Sequence, residues 1–471
     1  MRVLEQYEPR EALRYFEEIC AIPHGSRDTK RISDYCVRFA KAHDLACVQD
    51  EHNNVVIYKP AAKGYEEHPT VILQGHLDMV CEKDADCDID FSTDGLRLRC
   101  DGRYVFAEGT TLGGDDGIAV AYALAILAAD DLKHPPIEAV FTVDEEIGML
   151  GADTMDMRVL KGRVLLNCDS EDEGILTVSC AGGATSVLTR PVRREVCAGA
   201  VWRMGVKNLT GGHSGVEINK GRANASKTLA AVLEALPVRL ISIDGGSKDN
   251  AIPRSCEALV VADDLQAAFF ARAEQVKALL PAAETAAEFY CEPAASDLAP
   301  MSEESSRAVI ALLNAIPNGV QKMSEDIPGL VQTSLNLGIL KTQADAVTLA
   351  FSVRSSVNAE KAALIDTLKA VGLAHGADYT ESGAYPAWEY QKHSRLRDVM
   401  VSVFRELYGK EPVVEAIHAG LECGIFSDRL PGLDAVSFGP QMHDIHTSRE
   451  RLDLASTKRT WDYLVAVLER L

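Results

Sequence analysis

Long apolar runs are missing from this sequence. No stretch approaches the ~20 apolar residues that cross a bilayer, and the greasiest segment, IAVAYALAILAA, ends at Ala129. Positive charge is short as well: 48 lysines and arginines face 70 aspartates and glutamates, a formal charge of −22. That balance excludes a nucleic-acid partner, which needs a basic face, and argues against docking on an anionic membrane. The twelve cysteines include no CxxC pair, so neither a disulfide framework nor a cysteine zinc site is indicated. The opening residues carry acids throughout and no apolar run of signal-peptide quality. Reduced thiols and a cytoplasmic location are therefore expected. Internal repeats and low-complexity segments are also lacking.

What is present is an ordinary globular composition, 47% hydrophobic and 25% charged, in a chain too long for one core. Two domains are the expectation. Residues 8–45 have helical spacing around a Gly-Ser break. NNVVIYK and PTVILQGHLDMV read as strands, and TTLGGDDGIAVAYALAILAADD as a Gly-rich loop feeding an amphipathic helix. IEAVFTVDEEIGMLGA and RVLLNCDSED each run from an apolar strand into acids. Strands alternating with helices predict an α/β domain with a mainly parallel sheet and helices on both faces. After about Gly183 the texture changes to alternating strands such as AVWRMGVKNL and VTLAFSVRSS among helices, an α+β segment. The architecture expected is a catalytic domain formed by 1–182 and 388–471, interrupted by an inserted domain at 183–387.

Four acid- or histidine-bearing segments follow expected strands, at the sheet edge where open α/β sheets place their sites. His76 and Asp78 are two apart on an extended segment and point to one side; alone, such a pair is also a common core or surface arrangement. Asp115 sits among glycines that let a carboxylate approach a buried ion, although taken alone the segment is better explained by a helix cap, for which Asp116 is suited. Asp144, Glu145 and Glu146 form an acidic triplet that repels itself unless a cation neutralises it. Adjacent members face different ways, so one can ligate metal while its neighbour acts on substrate. Asp169 repeats the strand-then-acid pattern. His446 lies far downstream in FGPQMHDIHTS, with His443 as its competitor. Two imidazoles with three or more carboxylates suit zinc or another divalent transition ion. A two-metal site needs a shared carboxylate, and Asp115 is the natural bridge.

The segments GHLDMV, LGGDDGI, TVDEEIGMLGA, LNCDSED, TGGHSG, HAGLECG and a C-terminal HTS, in this order, resemble the aminoacyl-histidine dipeptidases (Xaa-His dipeptidases) within the two-zinc aminopeptidase and deacylase group. The resemblance covers most of the chain. It implies one zinc held by His76, Asp115 and Asp169 and another by Asp115, Glu146 and His446, with Mn²⁺ or Co²⁺ as substitutes. It further implies that Asp78 orients His76. Dipeptides, of the β-Ala-His type and others, would be cleaved by a hydroxide between the two zincs, with Glu145 as general base and acid. N-acyl amino acid deacylase and tripeptidase activity use the same centre and are the alternatives, with an inactive metal-binding relative behind them. The inserted domain resembles a lid that also makes a homodimer contact. His213, Arg354 and Asn250, with Arg254 less supported, are its substrate-binding candidates, and Glu422 is expected to line the pocket from the catalytic part. Many relatives carry Asn where this chain has Asp116.

Overall fold

The computed structural model describes residues 2–471. They group into two compact units: residues 2–180, Tyr390–Ala416 and Leu421–Leu471 in the first, Ala181–Glu389 and Ile417–Gly420 in the second. The short excursion Ile417–Gly420 differs from the expectation of an unbroken final block. It splits the HAGLECG segment, leaving His418 with the second unit and Glu422 with the first.

The first unit is built on an eight-stranded mixed sheet. Its centre is parallel: Val71–His76 lies between Ile137–Thr142 and Val164–Asn167, and the latter pairs in parallel with Asp434–Ser437. Antiparallel strands flank this centre, Ala46–Gln49 on Val55–Lys59 and that strand on Ile137–Thr142, with Ile175–Cys180 beyond the other side. Both Val71–His76 and Ile137–Thr142 are buried along their whole length, which is why they read as unbroken apolar runs without alternation. The parallel register sets His76 beside Thr142 and Gln74 beside Asn167. The C-terminal ends of the central strands therefore come out at one edge.

The helix Gly114–Ala128 departs from the amphipathic expectation. Every residue from Gly114 to Leu127 is buried, because the helix packs between the strand Val71–His76 and the helix Arg10–Cys20. A helix covered on all sides has no polar face to pattern. A small four-stranded sheet completes the unit. In it Arg451–Asp453 joins Met442–His443 to Tyr104–Ala107, with Leu98–Cys100 outside. This pairing brings the loop 444–450 to the loop that precedes Gly114.

The second unit is a nine-stranded sheet whose neighbouring strands are antiparallel. Its helices Ala225–Leu233, Gln266–Lys277, Glu303–Ala315 and Asn358–Ala374 contribute to a core of its own around Leu229, Phe269, Leu312 and Phe351. Asn224 and Ser302 cap two of these helices with side-chain oxygens that accept from Ser226 and Ser305 amides, the role in which such residues stabilise an N-terminus. No helix among the described residues is long and apolar enough to cross a membrane.

Candidate metal centre

At the carboxyl edge of the parallel strands, side chains from four separate segments converge. His76 ends its strand with its ring fully buried. Its Nδ1 donates to the backbone oxygen of Asp78 at 2.9 Å and stands 3.5 Å from the Asp78 carboxylate. That bond places a proton on Nδ1 and leaves Nε2 facing Asp115, whose Oδ1 is 3.1 Å away. Asp169 lies 3.9 Å from the same Nε2. The other oxygen of Asp115 is 3.1 Å from His446 Nε2, and Glu146 is 3.0 Å from that nitrogen. Asp115 thus stands between the two imidazoles, one oxygen to each.

Asp78 does more than the sequence suggested. Its carboxylate accepts the amides of Glu145 and Glu146 at 3.0 and 3.4 Å and the Ser26 hydroxyl at 2.8 Å. One buried carboxylate therefore orients the histidine and shapes the acidic turn after the strand Ile137–Thr142. Asp116 does not cap the helix. Gly113 occupies the cap position, and Asp116 Oδ2 instead accepts from the His76 amide at 3.2 Å. Two ligand-like groupings fall within 4.8 Å: His76 with Asp115 and Glu146, and His76 with Asp116 and Asp169. Asp116 was not among the expected ligands. His443, the alternative to His446, packs edge-on against Tyr104.

The electrostatics suit a bound cation. Burial raises the Asp169 carboxyl well above its usual range, reinforced by Asp115 and Asp116. Burial also pushes Glu145 to about 8, against the pull of His76 and with help from Glu422, Glu146 and Asp115. His446 is raised to about 10 by its bonds to Asp115 and Glu146. Burial opposes a charge on His76, but the carboxylates of Asp115 and Asp78 outweigh it and lift its pKa. Crowded buried carboxylates beside two histidines make a site whose mutual repulsion a divalent cation would neutralise. The spacing fits too. Two ligands about 2.0–2.1 Å from a tetrahedral zinc stand ~3.3 Å apart, close to the observed 3.0–3.1 Å separations.

Of the remaining expected residues, Glu422 is not on a pocket wall. It is fully buried, its Oε2 accepting from Gln74 at 2.5 Å and Thr142 at 2.6 Å, so it braces the strand ends from within. In the second unit, His213 Nδ1 accepts the amides of Gly215 and Val216, which leaves the proton on Nε2. Arg354 donates to the Tyr385 hydroxyl at 3.2 Å, and its buried Nε has no hydrogen-bond partner. Asn250 is exposed, with its backbone oxygen accepting from the Ser214 amide. Arg254 donates to Leu209 O at 3.1 Å, a loop-bracing contact. Glu450 escaped the sequence reading altogether. It accepts from the backbone beside Asp115, and only its place four residues after His446 could have drawn attention to it.

Comparison with known proteins now adds to this geometry. Residues 72–470 match the sequence profile of Peptidase family M20/M25/M40. The cytosol non-specific dipeptidase of Escherichia coli (strain K12) is 36% identical over 482 aligned positions, covering 100% of this chain and 99% of that protein. The crystal structure of aminoacylhistidine dipeptidase from Vibrio alginolyticus superposes with a TM-score of 0.93 at 37% identity, covering 99% of this chain and 98% of that one. Aminopeptidase PepT from Bacillus cereus shares the fold at a TM-score of 0.59, with 15% identity over 98% of each chain.

Proposed function

The chain belongs to Peptidase family M20/M25/M40, and on that premise we propose that it is a metal-dependent dipeptidase acting on Xaa-His and other dipeptides. The observation that carries this reading is Asp115 held between His76 and His446, one oxygen to each, with Glu146 and Asp169 alongside. Two divalent ions, zinc in our reading, would be held by His76, Asp115 and Asp169 and by Asp115, Glu146 and His446. They would lower the pKa of a water and polarise the scissile carbonyl.

The chain's own residues supply the rest. Asp78 holds the Glu145 amide and thereby sets where the Glu145 carboxylate projects. Glu145 takes the proton of the attacking water and returns it to the leaving amine, a task that suits a carboxyl whose burial keeps its affinity for protons near neutral pH. In the second unit His213 presents an N–H donor suited to a developing oxyanion, and Arg354 suits the peptide's terminal carboxylate by a bidentate pair. We assign the second unit the lid and homodimer role implied by the sequence resemblance. A cytosolic location is our reading from the name of the Escherichia coli relative.

The test is metal content by mass spectrometry together with hydrolysis of β-Ala-His, a panel of ordinary dipeptides, tripeptides and N-acetyl amino acids. About two metal ions per chain with dipeptide turnover is the expected result. Preference for N-acetyl amino acids or tripeptides would replace the dipeptidase reading, and a chain with no metal after reconstitution would end it. A fully active monomer in solution would remove the catalytic role of a dimer.

A further inference from the structure

Glu450 is 2% exposed, yet among the described residues no cationic side chain is bonded to its carboxylate. Its partners are backbone amides. Oε2 accepts from Leu112 at 2.9 Å and Gly113 at 3.3 Å, and Oε1 from Gly114 at 2.8 Å and Asp115 at 3.5 Å. These four amides enter the helix Gly114–Ala128, where orphan N–H groups and the helix dipole favour an anion.

The loop is shaped to receive that carboxylate. Gly113 adopts φ +67°, open to glycine at little cost. A Cβ on Gly114 would stand 3.1 Å from Met442 Sδ and 3.3 Å from Glu450 Oε1, so the second glycine is what allows the close approach. On its other side Glu450 belongs to the His446 loop. Its own amide donates to Thr447 O at 3.1 Å, one residue before the strand Arg451–Asp453. The same side chain therefore fastens the loop carrying His446 to the loop carrying Asp115, two segments more than 300 residues apart in the chain.

We propose that Glu450 is a positioning residue: it ties these two loops together so that the carboxylate of Asp115 already stands between His76 and His446 before a metal ion arrives. The inference rests on the metal-centre reading above. Without the tie, Asp115 would have to be ordered at the expense of binding energy, since a ligand not preformed must lose conformational freedom when it coordinates.

The experiment compares wild type with Glu450→Gln, which keeps shape but turns one acceptor into a donor facing backbone donors. Both proteins are stripped of metal. Amide hydrogen exchange at residues 112–115 is measured on the metal-free proteins, zinc is then titrated against a competing chromophoric chelator, and circular dichroism monitors the fold. The expected result is an unchanged spectrum, faster exchange at Leu112 and Gly114 in the variant, and zinc affinity lower by roughly tenfold to a hundredfold. Turnover should recover as zinc is raised, with KM unchanged. Wild-type exchange and wild-type zinc affinity in Glu450→Gln would overturn the proposal. If that variant fails to fold, Gly114→Ala crowds the same contact from the opposite side and must weaken zinc in the same direction, or the proposal falls. A wild-type chain that takes up no zinc sinks the metal reading instead, and the amide exchange then decides the tie on its own.

Discussion

Lys59 in the first unit and Lys227 in the second perform the same structural task. Lys59 Nζ donates to the carbonyls of Ile126, Leu127 and Ala129 at the end of one helix. Lys227 Nζ donates to those of Leu313, Asn314 and Ile316 at the end of another. Each gives a helix C-terminus the donors and the positive charge that its last carbonyls lack. Beyond this the units diverge. Around the strand ends of the first, the buried oxygens Asp116 Oδ1, Asn167 Oδ1 and Glu422 Oε1 have no hydrogen-bond partner, whereas the second leaves the guanidinium nitrogens Arg190 Nε and Arg354 Nε unmet. An unsatisfied buried group costs about 1–3 kcal/mol. The first unit therefore carries a deficit of positive charge and donors at the place where a cation would relieve it. The second has donors to spare. Stability and chemistry are separable in this chain, and substitutions can show where.

The sharpest test is Glu145→Gln. It leaves the proposed coordinating oxygens and imidazoles in place and removes the proposed proton carrier, so turnover should fall by roughly 10²–10⁴-fold while metal content and unfolding midpoint stay at wild-type values. Metal loss in this variant would mean that Glu145 ligates, and the division of labour between Glu145 and Glu146 would have to be reversed. Unchanged turnover would remove Glu145 as the base.

Next comes the pair Lys59→Met and Lys227→Met. Each should lower unfolding free energy by about 2–3 kcal/mol, because three carbonyls lose a partly buried donor, and urea titration of each variant measures it. Equal losses would sustain the equivalence of the two lysines. A loss confined to one would break it.

A smaller effect separates the units by pH. Burial, with Arg354 and His213 nearby, depresses the His418 pKa from 6.5 to about 3, and its Nε2 pairs with the Ser334 hydroxyl at 2.7 Å. Between those two pKa values the unfolded chain holds the proton that the folded chain refuses. This contribution is therefore complete above pH 6.5 and is lost as pH falls toward 3. At pH 5 the loss amounts to about 2 kcal/mol, from ~1.5 pH units at 1.36 kcal/mol each. His418→Gln should remove that slope in urea titrations at pH 7 and pH 5. A slope that survives the substitution would place the proton elsewhere.

The legibility of the site followed the same physical lines. His76, Asp115, Glu146 and Asp169 each stand just after an apolar strand or in a glycine-rich turn, so local pattern alone put them near one sheet edge. The mixed α/β character was likewise readable from strands that alternate with helices. Three features were misread or missed. The helix Gly114–Ala128 was expected to be amphipathic, yet its run from Ile118 to Ala129 holds no charged residue and already suits burial on every side; only the identity of the covering helix lies beyond local pattern. Glu422 looked like a pocket residue because its burial depends on Gln74 and Thr142, far away in the chain. Glu450 went unread, since its partners lie 335 to 338 residues earlier. Long-range burial decides Glu422 and Glu450, and periodicity carries no information about either.

The smallest expected effect is also the one that settles the ligand set. Asp116 is completely buried, its Oδ2 bonded to the His76 amide and its Oδ1 unmet, and burial holds its carboxyl well above the usual range. A protonated Asp and an Asn have nearly the same shape and the same charge, so Asp116→Asn should change unfolding free energy by less than about 1 kcal/mol. Metal content and the order of preference among zinc, manganese and cobalt should stay as they are, because in the proposed centre Asp115 supplies the shared carboxylate. Yet Asp116 also falls within ligand distance of His76 and Asp169. If zinc affinity drops tenfold or more in Asp116→Asn, then Asp116 holds an ion as a carboxylate. In that case the buried oxygen left unmet beside His76 belongs to the metal, and the first unit's deficit of positive charge extends one residue beyond the expected bridge.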